Sequence, residues 1–297
     1  GARTQDGIAL SPLARRTIAQ NGLNLDDVIA HARSRGLRRV SEDDVRAAAP
    51  QERSAEPAAP AAGAVPLSSI RQKTAERLAE NWRTIPHVFQ AVEIDFTGVE
   101  ASRSKHKDPF KASTGFALTY LPFIARAACL ALKAFPNINA HFDGKTLRPS
   151  AGVHLGIAVD LNHNGLVVPV IRDAEDLTVA GLAKAMGRMI AKARSAKLTA
   201  DDLSGGTYSI TNNGAFGTLF TSPIINAPQV AILSADAIRM RPAVVETAEG
   251  QFIAPRLMGV LGQSFDHRAF DGAYSAAFLS RLKQIIESHD WSTDLSE

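Results

Sequence analysis

The sequence predicts an α/β fold, a sandwich of mixed sheet and helices, preceded by a small helical domain. Over residues 67–297, apolar residues recurring every three or four positions alternate with short β-branched and aromatic runs, which is typical of helices alternating with strands. Residues 50–66 are mostly Ala and Pro without apolar periodicity, as in an extended, semi-rigid linker. The 297 residues thus divide into a small domain (1–49), a linker (50–66) and a large domain (67–297).

Composition excludes several classes of protein. With 45% hydrophobic and 21% charged residues, the chain is not disordered, collagen-like or a coiled coil. The net charge of +3 comes without basic clusters interleaved with aromatics, so we expect no nucleic-acid partner. No apolar run reaches the roughly 18 residues needed to span a bilayer, and residues 1–30 lack the order of a signal peptide. We expect a cytoplasmic protein with no membrane partner.

Cys129 is the only cysteine, which excludes an intrachain disulfide and a cysteine-based zinc site. It lies in an apolar run, 127–132, so we interpret it as an inert buried thiol rather than a nucleophile. We expect no metal site.

The small domain shows two helix starts. Ser11 precedes Pro12 as a helix cap precedes proline at the first helical position, and this helix stops at Asn21-Gly22. A second helix begins at Ser41, which is followed by three acidic residues. The segment between them carries a positive patch of four arginines, Arg33, Arg35, Arg38 and Arg39. The patch is either a solvated face or a contact for an acidic partner.

The large domain begins with a helix whose face repeats every four residues, Ile70, Thr74, Leu78 and Trp82. A β-branched and aromatic run at 88–96 predicts a strand, and the nearly all-apolar run 118–135, which ends before Pro136, predicts a buried helix. Strands follow at 153–159 and 166–171, and an amphipathic helix runs through 182–193. The remaining predicted elements are strands at 207–211, 229–233 and 257–265 and a helix at 275–288.

Three polar stretches among these apolar elements are candidates for chemistry. His267 lies between a strand and a helix, four residues ahead of Asp271-Gly272, and imidazole there suits a general base. The same spacing also occurs in capping turns and structural ion pairs. The hydroxyls and amides of 205–214 could stabilise an oxyanion, or they form an ordinary strand with a Gly-rich turn. The prolines of 220–228 predict a rigid, non-helical path.

Together these stretches resemble the dihydrolipoamide acyltransferase component of the 2-oxo acid dehydrogenase complexes, within the chloramphenicol acetyltransferase-like group. The resemblance covers residues 67 to about 290 and depends on five motifs in the family's order: IRQKTAERLAENWRTIPHVF, GLVVPVI, GGTYSITNNGAFG, SPIINAPQVAIL and DHRAFDG. It implies a chloramphenicol acetyltransferase-like sandwich and acyl transfer between a dihydrolipoyl arm and coenzyme A.

The resemblance also implies roles for particular residues. His267 would take the proton from the thiol of coenzyme A or dihydrolipoamide, and the thiolate would attack the thioester carbonyl of the other partner. Thr211 matches the hydroxyl that binds the oxyanion, and Asp271 matches the residue that holds the histidine loop, through an arginine.

Coenzyme A contacts carried over from the family are Arg103 for phosphate and Thr119 and Asp160 for polar groups. Arg103 is equally suited to a solvated helix surface. Some members carry a serine at the position of Ala215, so one coenzyme contact of those members has no counterpart here.

The small domain resembles the family's peripheral subunit-binding domain at its two ends but has IAHARSRGLRR where members have a Gly-rich turn. The implied partners are the decarboxylase and dihydrolipoyl dehydrogenase components. No Asp-Lys pair suited to lipoylation occurs, so we expect the lipoyl domain to come from a missing N-terminal region or another chain. The resemblance further implies a homotrimer and a larger cage.

Two other functions remain open: a non-catalytic scaffold of such a complex, and a free-standing coenzyme A-dependent acyltransferase. The intact DHRAFDG motif favours an enzyme over a scaffold, and the linker with its docking-like domain disfavours the free-standing enzyme. The sequence does not determine which acyl group is transferred, because it contains elements that resemble succinyl-transferring relatives and others that resemble branched-chain relatives.

Overall fold

The structure is a computed structural model that describes residues 8–48, 65–161 and 165–295. It divides into two compact units, residues 1–66 and 67–297. The predicted linker, 50–66, lies outside the described residues apart from its last two. Among the described residues, no helix is long and apolar enough to cross a membrane.

The N-terminal unit packs short helices around a parallel two-stranded ribbon. Its elements are β1 (Ala9–Leu10), α1 (Pro12–Gln20), α2 (Leu25–Ser34), β2 (Arg39–Val40) and α3 (Glu42–Ala48). As predicted, the Ser11 hydroxyl caps α1 by accepting a hydrogen bond from Ala14 N–H, and α1 ends at Asn21. The segment between the two predicted helices contains one more helix, α2, whose Val28 and Ile29 enter the core of this unit.

The larger unit is a mixed sheet with helices. Its elements are α4 (Ser69–Thr84), β3 (His87–Asp95), α5 (Thr97–Thr114), α6 (Leu121–Leu132), β4 (Ala140–Phe142), β5 (Leu147–Pro149), β6 (Leu155–Ile157), β7 (Val159–Asp160), β8 (Leu166–Val167), β9 (Val170–Ile171), α7 (Val179–Arg194), β10 (Tyr208–Asn212), β11 (Ala231–Ala235), β12 (Arg239–Thr247), β13 (Gly250–Asp266) and α8 (Gly272–Ser288). The predicted α/β class is confirmed.

The main sheet has seven strands, with the order β12-β13-β11-β10-β6-β9 and β3 paired to β13. β10 is parallel to β6 and to β11, whereas β13 is antiparallel to β11, β12 and β3. The first half of β13 forms a hairpin with β12, and its second half lies between β11 and β3. The core of this unit joins α6, α7 and α8 to one face of the sheet, and Tyr208 of β10 contacts Phe278 of α8 there.

Two sequence expectations need correction. The helix predicted over 118–135 is the shorter α6, because Pro122 occupies its first turn and the chain closes into three-residue turns before Pro136. The strands predicted at 153–159 and 166–171 are each broken into two short pieces, the second around Pro169. Cys129 is completely buried on α6, as expected, and burial raises the pKa of its thiol to about 12, which is consistent with an inert thiol.

Candidate active site

His267 occupies the first position after β13, in the turn that leads to α8. Its backbone N–H donates to the carbonyl of Pro86 at 3.2 Å. The preceding residue, Asp266, is buried, and its carboxylate accepts from the guanidinium of Arg268 at 2.7 and 2.9 Å. The His267 imidazole is exposed, 5.8 Å from the Phe265 ring, and accepts or donates no hydrogen bond among the described residues. The turn is therefore fixed through its backbone while the imidazole is exposed.

Asp271 occupies the N-cap position of α8. Its backbone carbonyl accepts from the N–H groups of Tyr274 and Ser275 at 3.1 and 3.2 Å. Its carboxylate is exposed and has no hydrogen-bond partner in the described part of the chain. The proposed hold of Asp271 on His267 through an arginine thus does not form within these residues and stays a prediction.

Thr211 lines a cavity of about 460 Å³ in the larger unit. Side chains alternate along β10, so Ser209 and Thr211 face this cavity while Tyr208 and Ile210 are buried on the opposite, helix-covered face. The lining is mainly apolar, and its other members are Thr74, Arg77, Leu78, Asn81, Ala158, Leu166, Val167, Val168, Leu203, Pro223, Ile224, Asn226 and Ile232. Three hydroxyl residues line the cavity, Thr74, Ser209 and Thr211, and the Ser209 hydroxyl is already donated to Gln229 at 2.7 Å. The Thr211 hydroxyl beside an apolar space suits an acyl thioester whose carbonyl oxygen needs a donor.

The sequence predicted only part of this cavity. The non-helical path of 220–228 is confirmed, and it forms one wall through Pro223, Ile224 and Asn226. The four-residue repeat predicted α4 but not that two of its apolar-face residues, Thr74 and Leu78, would line a cavity rather than a closed core. The strand predicted at 166–171 includes β8, but the sequence did not predict that Leu166 and Val167 would line the cavity.

A buried carboxylate holds the loop that follows Thr211. Asp236 is only 3% exposed, and its Oδ1 accepts from the hydroxyls of Thr218 and Thr221, the latter at 2.8 Å. The Asn213 amide donates to Thr221 Oγ1 at 3.1 Å, which ties the first residue of the loop to the same cluster. Sequence reasoning missed Asp236, since an acidic residue just after an apolar strand is usually exposed.

One chain does not bring His267 and Thr211 together. Thr211 pairs with Ser234 on β11, and Ser234 pairs with Gly262 on β13, five residues before His267. With about 3.3 Å per residue along a strand and about 4.8 Å between strands, their backbones lie roughly 19 Å apart. They also occupy opposite ends of β11, since Ala231 at its start pairs with Phe265.

Arg103, the predicted phosphate contact, is held in an internal network. Its Nε and Nη2 donate to the Glu100 carboxylate at 2.7 and 3.0 Å, its Nη1 donates to Leu118 O at 3.2 Å, and its guanidinium lies 4.7 Å over the Tyr120 ring. The hydrogen bond with Glu100 raises the pKa of Arg103. Burial, helped by the bond that Tyr120 donates to Glu100 at 2.6 Å, raises the pKa of Tyr120 to about 12.

The other two predicted coenzyme contacts lie in different places. Thr119 is exposed and adjacent to Leu118, so it lies close to Arg103. Asp160 is exposed at the end of β7, which pairs with β8, and residues 162–164 lie outside the described residues.

A sheet that presents a histidine at one end and a hydroxyl beside an apolar cavity at the other has the parts of an acyl-transfer catalytic domain. The model for the family 2-oxoacid dehydrogenases acyltransferase (catalytic domain) matches residues 59–292. The chain belongs to this family. The resemblance stated from the sequence is thus confirmed, and so is its function class, an acyltransferase of the 2-oxo acid dehydrogenase complexes.

The chain is 34% identical to the lipoamide acyltransferase component of the branched-chain alpha-keto acid dehydrogenase complex of Bacillus subtilis (strain 168), over 96% of this chain and 72% of that protein. It is 43% identical to the dihydrolipoyllysine-residue acetyltransferase component of the pyruvate dehydrogenase complex of Mycobacterium bovis. That match covers 77% of this chain, which spans less than half, 42%, of the mycobacterial protein.

Among solved structures, the cubic core of the pyruvate dehydrogenase multienzyme complex superposes with a TM-score of 0.71 and 36% identity, over 78% of this chain and 93% of that one. Relatives with different acyl groups match at similar identity, so identity alone does not select the acyl group of this chain.

Proposed function

We propose that the chain transfers an acyl group between a dihydrolipoyl arm and coenzyme A, at a site shared by two copies. The observation that carries the proposal is the separation of His267 from Thr211. Thr211 opens into a formed apolar cavity, whereas the His267 imidazole is presented outward without a hydrogen-bond partner in the described residues. A second copy that placed its His267 against this cavity would bring the base and the oxyanion donor together in one active site.

In this site the neutral imidazole of His267 accepts the proton of the attacking thiol. Thiol and imidazole differ by about two pKa units in their reference states, so a well-placed imidazole is a sufficient base. The thiolate sulfur bonds to the thioester carbon, and the carbonyl electrons move to oxygen. Thr211 donates to this oxyanion, a contribution of about 3 kcal/mol for such a donor. Collapse breaks the original carbon–sulfur bond, and the leaving thiolate takes the proton back from His267.

Coenzyme A, as substrate, is proposed to contact Arg103, Thr119 and Asp160. Three of the five N–H groups of Arg103 are used by Glu100 and Leu118, which leaves one on each terminal nitrogen for a phosphate. The pair with Glu100 would then orient the guanidinium rather than block it. Thr119, exposed beside it, supplies a hydroxyl to the same ligand.

The proposed assembly is a homotrimer within a larger cage, as in the related cubic core. In the N-terminal unit the four arginines of the patch are exposed on the end of α2 and on the path to β2, which favours a contact for an acidic face of a partner enzyme. The decarboxylase and dihydrolipoyl dehydrogenase components and a lipoyl domain are the proposed partners.

The test combines activity with complementation. A panel of acyl-coenzyme A substrates is assayed with free dihydrolipoamide, and His267→Ala chains are dissociated and reassembled with Thr211→Ala chains. With equal mixing, about a quarter of the interfaces would pair an intact His267 with an intact Thr211, so activity should return to roughly that fraction. No recovery in proven mixed trimers would show that each chain carries its own complete site. No transfer from any acyl-coenzyme A would favour the scaffold.

A further inference from the structure

His87 lies at the start of β3, and both nitrogens of its half-buried ring are bonded. Nδ1 is 2.8 Å from the carbonyl of Ile85, and the backbone N–H of Ile225 donates to Nε2 at 2.9 Å. Because a backbone N–H can only donate, Nε2 is the unprotonated nitrogen, and the proton on Nδ1 is donated to Ile85. The bonding pattern fixes one neutral tautomer.

The backbone around His87 holds the turn that carries His267. Pro86, the preceding residue, accepts the backbone N–H of His267 at 3.2 Å. His87 itself pairs with Asp266 at the end of the β3–β13 ladder. The position of the His267 backbone therefore depends on residues 85–87.

The other bond of His87 holds a wall of the Thr211 cavity. Ile225 is fixed at both backbone groups, since His87 accepts its N–H and the Asn81 side chain donates to its carbonyl at 2.9 Å. The Ile225 side chain is fully buried in a small cluster with Ile85 and Ile232. Its two neighbours, Ile224 and Asn226, line the cavity.

We infer that His87 is a positioning residue that fixes the cavity wall at 224–226 relative to the turn carrying His267. The kinetic part of the inference rests on the proposed function. Since His267 and Thr211 of one chain would serve different interfaces of the trimer, His87 connects the base of one site to the acyl cavity of the next. Its contribution acts on the geometry of reaction rather than on substrate affinity.

Three substitutions separate the two bonds. The amide of His87→Gln reaches the position of Nε2 and can still accept from Ile225, whereas that of His87→Asn reaches only the position of Nδ1. His87→Phe keeps the ring volume and removes both bonds. We expect the Gln variant to keep kcat within about threefold, and the Asn and Phe variants to lose about tenfold in kcat with KM within about twofold. His106→Phe is the matched control, because within the described part of the chain its ring bonds one group, the Ser102 carbonyl of the same helix, α5.

Hydrogen–deuterium exchange in the assembled protein provides a readout besides activity. In the Asn and Phe variants, exchange should accelerate together at 223–228 and at 265–268, and the Gln variant and the control should match the wild type. Unchanged kcat in both the Asn and Phe variants, an Asn variant as active as Gln, or faster exchange in only one segment would each overturn the inference. If the Phe variant does not fold, the Gln–Asn pair decides. If the wild type transfers no acyl group, the proposed function fails and exchange alone tests His87.

Discussion

The two ends of the central sheet are built in different ways. At the His267 end the turn is held by one local ion pair, Asp266–Arg268, and by one long-range backbone bond to Pro86, and its imidazole is exposed. At the Thr211 end, residues from α4, β8, β10 and the 223–226 segment enclose a cavity, and a buried Asp236 holds the following loop. The second end is a formed cavity, and the first is an exposed imidazole that, in the proposed function, needs a second copy opposite it.

The largest expected effect is at the exposed end. His267→Ala should lower the rate of acyl transfer about 10²- to 10⁴-fold, because a general base typically contributes a factor of that size. The free energy of unfolding should be nearly unchanged, since the imidazole has no hydrogen-bond partner among the described residues. Steady-state kinetics of the wild type, His267→Ala and the control variant His106→Ala measure this effect. Retention of more than about a tenth of the activity would reject His267 as the base.

At the cavity end, Thr211→Ala should lower kcat by on the order of 10² with little change in KM, because its hydroxyl acts on the oxyanion and not on the bound thioester. Thr211→Ser keeps the hydroxyl and should be much milder. A rise in KM alone in the Ala variant would make Thr211 a ground-state binding residue and remove the functional contrast between the two ends.

A substitution of Asp236 tests whether this buried carboxylate stabilises the loop that follows Thr211. Asp236→Ala removes the acceptor for the Thr218 and Thr221 hydroxyls and should lower the free energy of unfolding by about 1 to 3 kcal/mol. Denaturant unfolding measures this, with the exposed Asp108→Ala on α5 as control. Equal stability of the two variants would show that the Asp236 cluster does not hold the loop.

The two ends of the sheet differ, for physical reasons, in how far the sequence predicts them. His267 belongs to a short contiguous motif, 264–272, whose residue types are informative by themselves, although the turn is also held by the distant bond from its N–H to the Pro86 carbonyl. The Thr211 cavity is assembled from segments up to about 150 positions apart, as in the bond from Arg77 to the Ala227 carbonyl. Single-sequence patterns indicate which residues are apolar but not which distant segments enclose a space.

The hairpin of β12 and β13 was not predicted, because the sequence analysis gave no strand at 239–247. β12 contains Pro242, and proline inside a run argues against a strand. In the structure Pro242 lies opposite Pro255 of β13, a pairing that suits a position where neither residue has to donate to the ladder. Proline does disfavour a strand interior in general, but here the register between β12 and β13 places both prolines where the strands tolerate them. Likewise Arg103 could be predicted as a phosphate contact, but its pairing with Glu100 and Leu118 requires the fold of α5 and the following loop.

The smallest expected effect tests the local brace at the His267 end. Arg268→Lys replaces a planar guanidinium, which donates to both oxygens of Asp266, by a single ammonium that cannot form the same fork. Because the Arg268 side chain is 41% exposed, the pair is partly screened, so we expect a loss of only about 1 kcal/mol in unfolding free energy. A shift of the His267 turn should lower kcat about threefold with KM unchanged. Arg281→Lys, on the exposed side of α8, is the matched control and should alter neither quantity. A change confined to KM would mean that the Asp266–Arg268 pair acts on substrate binding and not on the position of the base.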